Sequence, residues 1–465
     1  MEDLPESSLL RLRSASGHAL ETDLYELTMA AAYFDNKEIF KATFELFVRN
    51  YPKNRSYLVA AGLEQAVEYL TQLRFTEAEI EFLKKHPNFK KVSDDFFQYL
   101  DKFKFTGELW ALPEGTVFFR NEPILRVTAP IIEAQIAETY LLSVINYETL
   151  IATKASRIVQ SARGKGVVEF GSRRAHGPQA ALLAARAGYI GGCIGTSNVL
   201  AGYLYKIPTY GTMAHSFIMS YDSEEEAFEK FCRVIPQPSF LVDTYDSIEG
   251  IKKVIATEQT PGMIRLDSGD RLELSRKARK ILDRAGYKET KIFVSGDLNE
   301  YILNNLTLKK APIDFFGVGT ELVTSRDDPA LPGIYKLVSV TREGRDVYRA
   351  KTSEGKMTLP GPKQIYRLYN AKRRIREDII TLDDERVPYG GRPLLLKVLE
   401  NGDIVNELPA IDEIRNFAKQ ERETLPSQFL RLTGSETPPV RLSTKLERLA
   451  RSVWSKRGSR SRRRI

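Results

Sequence analysis

Residues 167–221 read VVEFGSRRAHGPQAALLAARAGYIGGCIGTSNVLAGYLYKIPTYGTMAHSFIMSY. Three times in this stretch a short apolar run ends in small, hydroxylic or charged residues, and helix-forming sequence follows the first two. Residues 167–170 give way to Gly171, Ser172, Arg173, Arg174 and His176. Pro178 then opens an Ala/Leu-rich helix to about residue 187, since a proline in the first helical turn lacks only an N–H that would be unsatisfied anyway. Residues 190–194 reach Gly195, Thr196 and Ser197, from which 198–206 reads as a second helix. The third run, 207–214, delivers His215. A strand that empties reactive side chains at its end and turns into a helix is the unit of α/β architecture.

The same grammar continues downstream. Residues 239–242 end in Asp243, Thr244, Tyr245 and Asp246, with a helix over 248–256. Residues 262–266 end in Asp267, Ser268, Gly269 and Asp270, with a helix over 272–285. Residues 291–294 end in Ser295, Gly296 and Asp297, with a helix over 298–305, and 314–316 end in Gly317, Val318, Gly319 and Thr320. The strand ends fall near 170, 195, 214, 242, 266, 294 and 316. Seven units of similar length predict an α/β fold built on an irregular (β/α) barrel over 131–325, with its active site at the carboxyl ends of the strands. An open doubly wound sheet is the competitor. The barrel is preferred because polar residues recur at every strand end, whereas an open sheet concentrates them at one switch point.

Upstream, 19–34 reads as a helix with Thr22 as N-cap and Tyr25 in its first turn. Residues 42–48 and 56–61 read as strands, 63–73, 77–85 and 94–103 as amphipathic helices, and 107–129 as a small antiparallel unit punctuated by Pro113, Gly115 and Pro123. A long helix is expected over 133–160. Beyond residue 325, YKLVSVTREGRDVYRAK (335–351) and PKQIYRLYN (362–370) read as antiparallel strands that complete the early sheet. The smaller α+β domain is therefore expected to be discontinuous, built from 1–130 and 326–425, with a helix over 411–424. Residues 426–465 are expected to form an unstructured basic tail.

Composition limits the rest. A chain of 465 residues exceeds the usual size of one core. No apolar run approaches the ~20 residues of a membrane helix, and the start MEDLPESS lacks a signal peptide's basic region. Cys193 and Cys232 form no disulfide framework and cannot alone hold a structural zinc, so a reducing cytoplasmic setting is expected. The net charge of +8 is local: residues 441–465 hold ten Lys/Arg and one Glu, so the tail carries +9 and the remaining chain −1. A basic tail can touch nucleic acid, yet a solvated terminus is the expected case.

Gathered on one rim, Arg173, Arg174, His176, Arg265 and the glycine-rich turns suit phosphate, held by bidentate hydrogen bonds and backbone N–H groups. Asp243, Asp267 and Asp270 suit Mg²⁺, which reaches proteins through one or two carboxylates and shares its shell with phosphate and water. No GxxxxGK[ST] occurs, so a nucleotide would bind without a P-loop. Each residue alone also has an ordinary structural reading: His215 as a satisfied histidine, Arg265–Asp267 as an ion pair, Gly317 and Gly319 as a turn, Phe170 and Tyr25 as packing.

EFGSRRAHGPQAAL (169–182), GTSNVLAG (195–202), YGTMAHSF (210–217), RLDSGD (265–270) and FGVGTEL (316–322), with TDLYELTMA (22–30), resemble the nicotinate phosphoribosyltransferase family, type II phosphoribosyltransferases. The resemblance runs in order from about Thr22 to Asn370. It implies ATP-coupled transfer of phosphoribosyl from 5-phosphoribosyl 1-pyrophosphate to nicotinate. The products would be nicotinate mononucleotide, pyrophosphate, ADP and phosphate, for NAD salvage. It also implies Mg²⁺, ATP as co-substrate and a homodimer with a shared site. The C-terminal cysteine-rich metal site of some family members is not matched.

By the same resemblance His215 would be the histidine that ATP phosphorylates, and Thr212 and Arg265 would hold the nicotinate carboxylate. Phe170 would stack on the pyridine, with Tyr25 of a neighbouring subunit on its other face. Arg173 would contact phosphates. Asp243 and Asp267 would lie near the ribose hydroxyls and Mg²⁺, with Asp270 a further metal candidate. Ser295, Gly296, Gly319 and Thr320 would cradle the 5-phosphate. The rival activities are transfer to nicotinamide or quinolinate, and nucleic-acid binding through the Arg-rich tail.

Overall fold

The computed structural model describes residues 18–353, 355–385, 390–434 and 436–461. Gly166–Glu169, Gly195–Thr196, Ser239–Leu241, Met263–Leu266, Lys291–Val294 and Phe315–Val318 form one sheet in which every pairing is parallel. The first of these strands in the chain and the last are neighbours, Phe315 opposite Gly166 and Val318 opposite Glu169. That pairing of first with last wraps the sheet into the irregular (β/α) barrel. Short strands suffice because helices cover them: Val167, Ile264, Ile292 and Phe316 are buried beneath Pro178–Ile190, Ser247–Ala256, Arg271–Arg284 and Glu300–Leu308.

The expected third strand, 207–214, does not form a ladder. It meets Gly195–Thr196 through a single parallel bridge at Thr209, with the Thr196 amide donating to Pro208 O and the Tyr210 amide donating to Thr196 O. Pro208 has no N–H to give, which limits the pairing. Among the described residues nothing joins this segment by backbone ladder to Ser239–Leu241. The barrel wall is therefore open beside His215.

The smaller domain is discontinuous. Its seven-stranded sheet runs Arg345–Tyr348, Gly333–Arg342, Lys41–Val48, Pro123–Pro130, Glu108–Ala111, Leu396–Glu400, Asp403–Ile404, so strands from beyond the barrel flank the N-terminal strands on both sides. Lys363–Tyr369 departs from expectation. It joins Ile375–Leu382, Arg392–Pro393 and Val440–Leu442 in a separate four-stranded sheet. Alternation showed a strand there but carried no information on its partner.

Three local expectations are also corrected. The first described helix is Leu24–Asp35 with Asp23 at its N-cap; the Thr22 hydroxyl instead donates to Glu26 and to Ile136 O. The long helix is two, Ile131–Ile136 and Glu138–Ser161, separated at Ala137. The basic end contains a strand and a helix. Val440–Leu442 pairs with Ile375–Leu382, and Thr444–Ser461 is a helix whose Leu446 and Ala450 are buried. Leu446 packs with Ile380 and Leu382, and Leu449 lies against the same cluster. This i, i+3, i+4 stripe gives the basic helix a buried side. Residues 462–465 of the expected tail lie outside the described residues. Among the described residues no helix is long and apolar enough to cross a membrane.

The two domains meet around Arg186, whose guanidinium is buried among three carboxylates: Glu114 at 2.6 Å, Glu64 at 2.9 Å and Glu148 at 3.1 Å. One cation cannot neutralise three anions. Burial pushes Glu148 up to about 8, with Glu114 adding to it and Arg186 opposing. Burial also opposes ionisation of Glu114, but Arg186 and the Gly62 and Leu63 amides outweigh it and hold Glu114 below its usual value. Because the folded value of Glu148 lies above the ordinary 4.5, its stabilising contribution is complete below pH 4.5 and is lost as pH rises through about 8. Glu148→Gln is therefore expected to flatten the fall in melting temperature across that window, read by thermal melts at successive pH values. An unchanged slope would assign the fall to other groups.

Candidate active site

The ends of four barrel strands, at Phe170, Asp243, Arg265–Asp267 and Ser295, meet at a common mouth. Arg265, the penultimate residue of Met263–Leu266, donates from Nε to Ser295 Oγ at 2.8 Å, from Nη1 to Thr212 Oγ1 at 3.0 Å and from Nη2 to Asp267 Oδ1 at 2.7 Å. Three segments far apart in the chain are thus tied to one guanidinium. Arginine has five N–H donors, so two remain for a ligand. The Arg265 Cζ lies 5.7 Å from the centre of the Phe170 ring, which stacks on Phe293 at 5.2 Å and 30°. Gly317 makes room for that pair, since a Cβ there would stand 2.7 Å from Phe293 and 2.8 Å from Phe170.

Asp267 links this cluster to His215. Burial alone would raise its carboxyl, but the Ser295 hydroxyl, the Arg265 guanidinium and the nearby His215 together hold it below the usual aspartate range. Asp267 is therefore an anion at neutral pH. His215 opens the helix His215–Met219, and its Nδ1 lies 3.1 Å from Thr244 Oγ1, across the gap in the barrel wall. Imidazole and guanidinium therefore share one rim.

Asp243 accepts from the Asp267 amide at 2.9 Å and from Ser268 Oγ at 2.7 Å through Oδ2, while its buried Oδ1 has no hydrogen-bond partner among the described residues. Asp270 has a different task. Its Oδ1 accepts from the Leu272 and Glu273 amides at 3.0 Å each, capping Arg271–Arg284, and these bonds hold it below its usual value. Among the described residues no group of three or more His, Cys, Asp or Glu is arranged to hold a metal. The lone oxygen of Asp243 beside Asp267 fits a divalent ion of the kind that takes most of its shell from phosphate and water.

Two turns complete the mouth. Gly296 has φ +83°, and a Cβ there would stand 2.0 Å from Asp267 O, so only glycine fits. Arg271 clamps this turn, donating from Nη2 to Gly296 O at 2.5 Å and from Nε to Ser295 O at 3.3 Å. The amides of Gly296, Gly319 and Thr320 make no backbone hydrogen bond among the described residues. Arg173 and Arg174 sit on the exposed turn Ser172–Arg174, and their guanidinium groups make no ion pair among the described residues. His176 is exposed on the same loop.

Tyr25 is not part of this cluster within one chain. It is 47% exposed on Leu24–Asp35, and burial together with Glu138, Glu26 and Asp23 raises its phenol. None of those acids lies at a strand end. Thr244, Ser268, Arg271 and Phe293 are site residues to which sequence reasoning gave no role. Thr244 and Ser268 stood in strand-end clusters, Arg271 directly follows RLDSGD, and Phe293 carried no signal beyond that of a core strand.

The family model for the nicotinate phosphoribosyltransferase N-terminal domain matches residues 20–146, that for its C-terminal domain matches 387–450, and the quinolinate phosphoribosyl transferase C-terminal domain matches 151–327. A nicotinate phosphoribosyltransferase of Mycobacterium tuberculosis is 44% identical over 432 residues, covering 90% of each chain. That of Bacillus subtilis is 39% identical, covering 91% of this chain and 93% of its own. Among solved structures, human nicotinic acid phosphoribosyltransferase superposes with a TM-score of 0.84 at 28% identity, covering 93% of this chain and 99% of that one. Nicotinate-nucleotide pyrophosphorylase from Pyrococcus furiosus superposes at 0.72 with 26% identity, covering 91% and 99%. With motifs, fold and rim in agreement along its length, the chain belongs to the nicotinate phosphoribosyltransferase family.

Proposed function

We propose that the chain transfers phosphoribosyl from 5-phosphoribosyl 1-pyrophosphate to nicotinate for NAD salvage, and that phosphorylation of His215 by ATP drives the transfer. The observation that carries this is the Arg265 cluster. A guanidinium fixed by Thr212, Asp267 and Ser295 stands beside the Phe170 ring, and the electrostatic influence of His215 reaches the same Asp267. An aromatic ring lying against Phe170 would meet the free donors of Arg265 with a carboxylate at its edge.

In the transfer the pyridine nitrogen bonds to the anomeric carbon as the bond to pyrophosphate breaks. The leaving group carries away both electrons, and no proton moves. Catalysis then rests on alignment and on charge stabilisation. Arg173 and the unpaired amides of Gly296, Gly319 and Thr320 suit the phosphates, and Asp243 and Asp267 suit the ribose hydroxyls. Mg²⁺, held through Asp243 and Asp267, would neutralise pyrophosphate as it departs. Asp270 is better explained as a helix cap. Tyr25, exposed in one chain, suits a homodimer in which it closes the partner's site.

In the coupled step an imidazole nitrogen of His215 attacks the γ-phosphorus of ATP, ADP leaves, and later attack by water returns inorganic phosphate. Thr244 holds Nδ1 and so fixes the ring plane. The match of 151–327 to the quinolinate domain keeps transfer to a dicarboxylate as the second reading. The single fork of Arg265 beside Phe170 suits one carboxylate. Incubation with γ-labelled ATP tests the coupling: acid-labile, alkali-stable label should remain on the protein and map to the peptide containing His215. Label that never appears, or that maps elsewhere, would reject the phosphohistidine.

A further inference from the structure

The two turns assigned to the 5-phosphate are connected behind the rim. The turn at Ser295–Asp297 leads into Glu300–Leu308, and Gly319 leads into Thr320–Val323 and on to Asp327. Carboxylates from both paths converge on one ammonium, Lys154 of helix Glu138–Ser161. Its Nζ lies 2.7 Å from Glu300 Oε2, 2.9 Å from Asp327 Oδ1 and 3.8 Å from Glu321 Oε2. Arg157, on the same helix, reaches Glu300 Oε1 at 3.3 Å. Arg55 of the N-terminal domain grips Asp327 with two bonds, 2.8 and 3.0 Å. Three cations face three carboxylates, and Lys154 and Glu300 are fully buried.

We propose that Lys154 is a positioning residue that sets the spacing of the two phosphate-facing turns and thereby governs binding of the phosphoribosyl donor. The proposal rests on the assignment of the 5-phosphate to Ser295–Gly296 and Gly319–Thr320. A buried ion network contributes little net stability compared with a well-packed apolar cluster of the same volume, although removing a single partner leaves the others uncompensated. What an ammonium adds is direction: it holds Glu300 of one helix and Asp327, in the turn that follows Thr320–Val323, at hydrogen-bond distance from a single point, with Glu321 of that short helix at 3.8 Å. Burial opposes ionisation of Asp327, but Arg55 and Lys154 outweigh it and hold that carboxyl well below its usual range, so Asp327 is an anion at neutral pH. Glu300 and Glu321 each stand within five residues of an unpaired turn amide, so a shift of either helix is passed directly to its turn.

The test compares Lys154→Met, Lys154→Arg and Asp327→Asn with the parent enzyme. KM is measured for phosphoribosyl pyrophosphate and for nicotinate, with inhibition by inorganic phosphate and a thermal melt for each. Lys154→Met should raise KM for phosphoribosyl pyrophosphate ~10-fold or more and weaken phosphate inhibition in step, with KM for nicotinate within about twofold. Lys154→Arg should recover part of the loss, and Asp327→Asn should move the same constants less far. A folded Lys154→Met that shifts both substrates alike, or neither, overturns the proposal. Should Lys154→Met fail to fold, an unchanged donor KM in Asp327→Asn overturns it. Gly296→Val separates the layers. If it raises the donor KM while Lys154→Met does not, only the role of Lys154 fails; if it leaves the donor KM unchanged, the phosphate assignment fails and the proposal with it.

Discussion

Arg265→Ala is expected to weaken use of nicotinate by about 2 to 4 kcal/mol in transition-state terms, because a substrate carboxylate would be left partly desolvated without its partner. Use of phosphoribosyl pyrophosphate should fall much less. Some fall is expected, since the same side chain braces Ser295 and Asp267. Arg265→Lys should lie between, because lysine keeps the charge but has three donors on one nitrogen in place of a five-donor fork, so bonds to Thr212, Ser295 and Asp267 would leave none for the carboxylate. Steady-state kcat/KM with each substrate varied in turn checks this. Equal losses for both substrates would show that Arg265 serves the frame of the site and not the aromatic acid.

His215→Asn is expected to abolish ATP stimulation while leaving slow ATP-independent transfer. Asparagine keeps a polar group near Thr244 but offers no nucleophilic nitrogen. The substitution also removes a positive influence on Asp267, whose carboxyl should then titrate somewhat higher. Rates measured with and without ATP, together with ADP released per nucleotide formed, give the answer. Undiminished coupling in the variant would remove His215 from the phosphate path.

The barrel was legible because strand after strand closed on a polar cluster, and Asp243, Arg265, Asp267 and Ser295 from those clusters meet at one mouth. The run before His215 misled because apolar content suggested a strand, whereas Pro208 cannot donate to a ladder and a single bridge at Thr209 is all that forms. Asp270 shows the limit of a linear string: a carboxylate that caps a helix and one offered to a cation look alike there, and its bonds to Leu272 and Glu273 exist only in the fold. In the basic end, charge masked the stripe of Leu446, Leu449 and Ala450 that packs the last helix. Partners across units, such as Thr244 for His215 or Lys154 for Glu300, leave no local pattern, because their spacing exists only after folding.

Turnover by the purified chain with phosphoribosyl pyrophosphate and, separately, nicotinate, nicotinamide and quinolinate, with products identified by mass, bears on the site as a whole. Nicotinate mononucleotide should form rapidly from nicotinate, faster with ATP, and the other two pyridines should react slowly or not at all. Preferred turnover of nicotinamide or quinolinate would contradict a pocket built around one guanidinium and one carboxylate.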